Sequence, residues 1–195
     1  SDHIGDLVGL TFLDLAGNQL TSTIPQSIGS LAALQTLNLF ANKLSGPIPS
    51  AIGNIAGLEE LVLYNNFLSH TLPESIGQLT QLRSLDCFVN ALTGSVPASI
   101  GSLVSLRFLD LSVNFLHGSV PDTLSGMVSM TYLHLADNAF TGTVPQSIGA
   151  MTNLSPLHLS DNMFKGALPA GIATFKDLRF VLVEKNYLSG PISGF

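Results

Sequence analysis

The chain repeats itself every 24 residues, and a strict period constrains a fold more than any local motif does. Asn18, Asn42, Asn66, Asn90, Asn114, Asn138, Asn162 and Asn186 fall at that spacing with no insertion or deletion. Eight residues before each stands Leu10, Leu34, Leu58, Leu82, Leu106, Met130, Leu154 or Leu178. Three and five places further come pairs such as Leu37/Leu39, Leu61/Leu63 and Leu109/Leu111, with Leu85/Cys87 and Val181/Val183 as variants. The pattern is L-x-x-L-x-L-x-x-N-x-L. Its L-x-L alternation has period 2, so both side chains leave a short strand on the same side. One such strand cannot bury its face alone. Copies stacked about 4.8 Å apart make a parallel ladder over a shared core. The Asn falls where the chain turns off the strand, and its amide can satisfy backbone groups of its own and neighbouring turns. The Asn ladder is therefore structural, and none of its members is a catalytic candidate.

The second half of the repeat reads G-x-[IV]-P-x-x-I-G, as in Gly46-Ile48-Pro49-Ile52-Gly53, Gly94-Val96-Pro97-Ile100-Gly101 and Gly142-Val144-Pro145-Ile148-Gly149. With the first half, this resembles the plant-specific class of leucine-rich repeats over essentially the whole chain. The resemblance implies an α/β leucine-rich repeat solenoid: a right-handed, curved superhelix with a parallel concave sheet. Short second strands and 3₁₀ turns would lie on its convex side. Gly permits a positive φ at a tight turn. Pro suits the first position of a helical turn and cannot sit in a central ladder. Ser22 and His70 replace the Gly in two repeats, so the second strand is expected to be irregular there. The unbroken period predicts one solenoid over residues 1–195, about eight repeats long. Extracellular members of the resembled class carry paired Cys in capping segments. This chain has only Cys87, so a fragment of a longer repeat protein is expected.

The net charge of −6 argues against nucleic acid or an anionic membrane surface as partner. No apolar run approaches the roughly 18 residues of a transmembrane helix. Cys87 replaces an inward Leu and reads as a small buried hydrophobe rather than a reactive thiol. Asn153-Leu154-Ser155 is an N-glycosylation sequon, usable only if the protein is secreted.

Function should lie on positions the repeat does not dictate, the variable residues of the concave strand. Stacking brings equivalent positions of successive repeats together in columns. One column contains Phe40, Tyr64 and Phe88, three adjacent aromatics on a face expected to meet solvent. Phe108 and Tyr132 add a second pair diagonally beyond them. Rows of exposed aromatics are what interface cores look like. A second column brings Asp86, Asp110, His134 and His158 together, with Asp137 and Asp161 beside the His pair. Such a set is expected to hydrogen-bond a ligand. Proton-sensitive binding and divalent-metal binding are the other chemistries open to it. All four side chains project from a nearly flat sheet, so a closed metal shell is not expected, and no cofactor is.

Three functional classes compete. The resemblance implies ectodomains of receptor-like kinases, receptor-like proteins and polygalacturonase-inhibiting proteins. These are extracellular, non-catalytic modules that bind a protein or peptide, with a co-receptor as a further partner. A free-standing intracellular interaction protein of effector type is the alternative, and the lack of paired Cys fits it. Ice binding, also found among plant repeats of this kind, would need flat arrays of Thr, Asn or Ser, and Phe and charged residues interrupt the columns here. Catalysis is not expected, because no Ser/His/Asp arrangement, phosphate loop or metal spacing occurs and an open sheet offers no water-excluding cleft.

Overall fold

The computed structural model describes residues 3–191. Eight short strands, one per repeat, run side by side in chain order: Phe12–Asp14, Thr36–Asn38, Glu60–Val62, Ser84–Asp86, Phe108–Asp110, Tyr132–His134, Leu157–His158 and Val181–Leu182. All pair in parallel, and each residue sits opposite its counterpart 24 positions on. The seventh strand is shortened at its start, where Pro156 has no N–H to give to the ladder.

Second strands follow each Asn turn. Six of them, from Thr21–Ser22 to Ala139–Phe140, form one parallel sheet, and Lys165–Gly166 pairs with Tyr187–Leu188 in another. The expected irregularity at His70 does not occur. Phe67–His70 spans four residues, as Lys43–Gly46 does, because His70 adopts the left-handed φ of 67° itself. Ser22 does the same at 73°. Each of the first seven second strands leads into a 3₁₀ turn such as Ser50–Asn54 or Ala98–Ser102. Proline stands one place earlier than expected, at the residue before the turn rather than its first position. Pro49 is extended (φ −66°, ψ 138°), and its carbonyl accepts the Ile52 N–H that closes the turn.

The core fills the space between the concave strands and the 3₁₀ turns. In one repeat, Leu34, Leu37, Leu39, Leu44, Ile48, Ile52 and Ile55 are all buried. Cys87 is fully buried in this core, and burial pushes its thiol far above the ordinary range, which fits an inert packing residue. The Asn ladder joins consecutive repeats. Asn114 donates to the carbonyls of Cys87 in the preceding repeat and of Leu111 and Ser112 in its own, at 3.0 to 3.1 Å. Its side-chain oxygen accepts the Leu92 N–H at 2.9 Å. Asn18, in the first repeat, bonds only to its own turn, at Leu15 and Ala16.

On the convex side, consecutive 3₁₀ turns approach so closely that a Cβ on Gly77 or Gly101 would collide with the carbonyl of Ser99 or Thr123 in the next turn. These two positions require glycine for space rather than for φ.

Candidate recognition surface on the concave sheet

The ladder register places Asp86 opposite Asp110, Asp110 opposite His134 and His134 opposite His158. Of the nine concave residues singled out in the sequence, six lie on strands of this sheet, and Phe40, Tyr64 and Phe88 lie two residues past the ends of theirs. Asp110 is buried, and the other eight are half-buried against one another.

The aromatic residues form two runs. Phe40 stacks on Tyr64 with centroids 4.3 Å apart, and Tyr64 meets Phe88 at 6.5 Å in a tilted arrangement. Phe108 stacks on Tyr132 at 4.4 Å. Tyr132 then presents an edge to His134 at 6.0 Å, and His134 stacks on His158 at 4.1 Å. The second run therefore extends through four rings, Phe108 to His158, two more than the aromatic pair alone.

The polar column has a structural task that the pattern alone does not reveal. Asp14, Asn38, Asp86 and Asp110 each use one side-chain oxygen to accept the backbone N–H two residues on, from Ala16, Phe40, Phe88 and Ser112. This local turn satisfies a donor at the end of four of the eight concave strands. One oxygen per carboxylate remains for anything else.

Asp110 spends its second oxygen on His134, whose Nδ1 lies 3.0 Å away. The Tyr132 hydroxyl and Ser112 Oγ lie 3.2 and 3.4 Å from the same nitrogen. A ring nitrogen carries one hydrogen, and the charged acceptor is the strongest of the three, so Nδ1–H donates to Asp110. The Ser112 hydroxyl donates to the other Asp110 oxygen. Burial pushes the Asp110 carboxyl up, but the hydrogen bonds from His134 and Ser112 outweigh it and hold the group below the usual carboxylate range. His158 is held below the ordinary imidazole range by burial and by the neighbouring His134. Burial, then the Asp110 and Asp86 charges, push the Tyr132 phenol up.

Asp86 differs from Asp110. Its second oxygen has no hydrogen-bond partner among the described residues. Burial raises its carboxyl to about 6, against the lowering effect of the Phe88 N–H, and the Asp110 charge adds to the rise. Elsewhere on this face, Arg83 pairs with Glu59 at 3.3 Å and Lys185 with Asp161 at 2.9 Å. Among the described residues, no three His, Cys, Asp or Glu side chains converge as a metal site would require. None of their helices is long and apolar enough to cross a membrane.

Three features escaped the sequence reading. Ser112 is fully buried and anchors Asp110 twice. Val89 and Val113, each just before a ladder Asn, adopt a left-handed φ of 52° although both are β-branched. Phe67, Phe115, Met163 and Tyr187, each just after a ladder Asn, are 63%, 64%, 43% and 70% exposed along the lateral edge. Reading the columns on either side of the Asn would have found the last two sets. Asn153, the sequon residue, is exposed in the turn that leads into the seventh concave strand.

Comparison with known proteins agrees with this architecture. A family model described as a leucine-rich repeat region matches residues 1–124, and one described as a leucine rich repeat matches residues 105–164. No curated protein matches the chain. Among solved structures, it is similar to the ectodomain of the plant membrane receptor kinase GASSHO1/SCHENGEN3 from Arabidopsis thaliana, in complex with CASPARIAN STRIP INTEGRITY FACTOR 2. That match has 36% identity and a TM-score of 0.97, and covers 100% of this chain and 23% of the receptor's. The Arabidopsis receptor kinase HAESA, in complex with the peptide hormone IDA and the co-receptor SERK1, matches at 34% identity and a TM-score of 0.91, covering 96% and 31%. A leucine-rich repeat protein of Leptospira interrogans matches at 32% and 0.81, covering 96% and 46%. The chain thus spans less than a third of either receptor chain. These repeats serve as non-catalytic binding modules. By its repeat, its fold and these matches, the chain belongs to the leucine-rich repeat family.

Proposed function

We propose that the concave sheet binds an extended peptide or a protein segment, in the manner of an extracellular receptor ectodomain. Residues 1–195 would be one run of repeats within such an ectodomain. The contact surface is centred on Phe40, Tyr64, Phe88, Phe108 and Tyr132, with Asp86, Asp110, His134 and His158 supplying polar contacts. The observation that carries this reading is the pair of half-exposed aromatic runs crossing consecutive repeats. Rings that need only pack on the sheet need not line up across repeats, whereas aligned rings supply a rigid apolar track for a ligand at low entropic cost. Of the receptors whose structures resemble this chain, GASSHO1/SCHENGEN3 is in complex with CASPARIAN STRIP INTEGRITY FACTOR 2, and HAESA with a peptide hormone and a co-receptor. A second protein partner is part of the same proposal.

The test is selection from a displayed library of random linear dodecapeptides, run against the wild type and the Tyr64→Ala/Phe88→Ala variant. Peptides enriched on the wild type should lose about tenfold or more in affinity for the variant, whose melting temperature should fall by only a few degrees. Equal binding with a large stability loss would make the rings structural.

A further inference from the structure

Asp86 is the one carboxylate on the central concave strands that is neither exposed nor paired. Asp110, its neighbour in the ladder, has His134 on one oxygen and Ser112 on the other. Glu59 has Arg83, and Asp161 has Lys185. Asp86 has only the Phe88 N–H on Oδ1. Oδ2 has no partner among the described residues, yet it keeps contact with solvent. A half-buried anion without a counter-ion is unfavourable in the free protein, which its carboxyl expresses by titrating at about 6.

The surroundings of Asp86 specify what would complete it. Val62 precedes it in the ladder, so one flank is apolar. Phe88, whose N–H bonds the Asp86 carboxylate, lies two residues on, just past the strand end. Tyr64 and Phe108 occupy the diagonal positions on the two neighbouring strands, one in each aromatic run. The carboxylate thus sits in the gap where one run ends and the other begins. An anion with aromatic and aliphatic neighbours suits a cation on a methylene stem, with the charge on the carboxylate and the stem against the apolar side chains. The acidic excess of the whole chain, −6, works in the same direction by steering.

We propose that this gap receives the basic side chain, arginine or lysine, of an extended peptide ligand, with its cation on Oδ2 of Asp86 and its stem between Phe88 and Phe108. The inference rests on the concave face being the peptide site. It specifies the chemistry of one ligand residue and the position where it docks.

The chain itself supplies a conservative variant. Asn38 occupies the same place two repeats earlier and closes the same local turn, with its side-chain oxygen accepting the Phe40 N–H at 3.2 Å. Asp86→Asn should therefore fold and keep that turn while losing the charge. Dodecapeptides are selected on the wild type and resynthesised with each basic residue replaced in turn by citrulline, the neutral isostere of arginine. Affinities are then measured on both proteins by calorimetry. The expected result is one basic position whose replacement weakens wild-type binding by about tenfold or more but leaves Asp86→Asn binding unchanged. If selected peptides carry no recurrent basic residue, or if its replacement costs the same on both proteins, the inference is overturned while the concave site stands. If no peptide binds the wild type more tightly than the Tyr64→Ala/Phe88→Ala variant, both readings fall.

Discussion

Replacing Asp86 with Asn should stabilise the free protein near neutral pH and do nothing in acid. The carboxyl titrates at about 6 in the folded chain, raised chiefly by burial and further by the charge of Asp110. In the unfolded chain it should titrate near 3.9. Between about pH 4 and 6 the folded state therefore holds a proton that the unfolded state has released, so stability falls as pH rises through that window. A difference of two pH units at about 1.4 kcal/mol each comes to roughly 3 kcal/mol for a fully shielded group. Asp86 keeps contact with water, so screening reduces this to about 1 kcal/mol. Asn cannot ionise, and Asn38 shows that it closes the same turn. The assay is urea unfolding followed by circular dichroism at several pH values from about 3.5 to 8, with about 1 kcal/mol of gain expected at the upper end. The variant should unfold at higher urea than the wild type at neutral pH, and the two midpoints should converge below about pH 4. An equal effect at every pH, or a loss of stability at neutral pH, would refute the reasoning.

Three further substitutions probe the turn that follows a concave strand. Val113→Asn should raise the melting temperature by about 2–4 °C, because a β-branched residue at φ 52° is strained and Asn65 holds the equivalent place at φ 56°; an unchanged or lower melting temperature would count against strain there. Asn114→Ala removes four hydrogen bonds in a buried turn and should cost about 3 kcal/mol or more in urea unfolding. Asn18→Ala, whose side chain bonds only within its own exposed turn, should cost less than about 1 kcal/mol, and equal losses at the two positions would refute the inter-repeat role of the ladder.

The fold was legible because the period is strict. Leu109, Leu111 and Asn114 recur in phase with their counterparts, and stacking turns that recurrence directly into register. The columns were legible for the same reason: Asp110 beside His134, and Phe40 beside Tyr64, follow from counting 24. Side-chain commitments were not. Nothing in the spacing tells that Asp86 and Asp110 each give an oxygen to a local turn, because that depends on backbone dihedrals after the strand. Ser112 stands at a variable position, yet its buried hydroxyl adds a second bond to the Asp110 oxygen that closes the local turn, while His134 takes the other oxygen, the one that Asp86 leaves without a partner. His70 shows the converse: the pattern suggested a defect where Gly is missing, and the hydrogen bonds of the second sheet hold His in the left-handed conformation instead.

The close approach of the convex turns at Gly77 and Gly101 has a consequence for the opposite face. A stack of repeats bends toward the side with the shorter rise, and crowding the outer turns keeps the outer arc little longer than the inner one. The closer those turns pack, the gentler the bend and the straighter the rows of side chains. Along such a row the repeats advance about 4.8 Å each, while an extended peptide advances about 3.3 Å per residue. Three peptide residues therefore match two repeats almost evenly, and a ligand lying along the solenoid can keep step with the rows without stretching. Alanine at either glycine would lengthen the outer arc, tighten the bend and put the two rulers out of step.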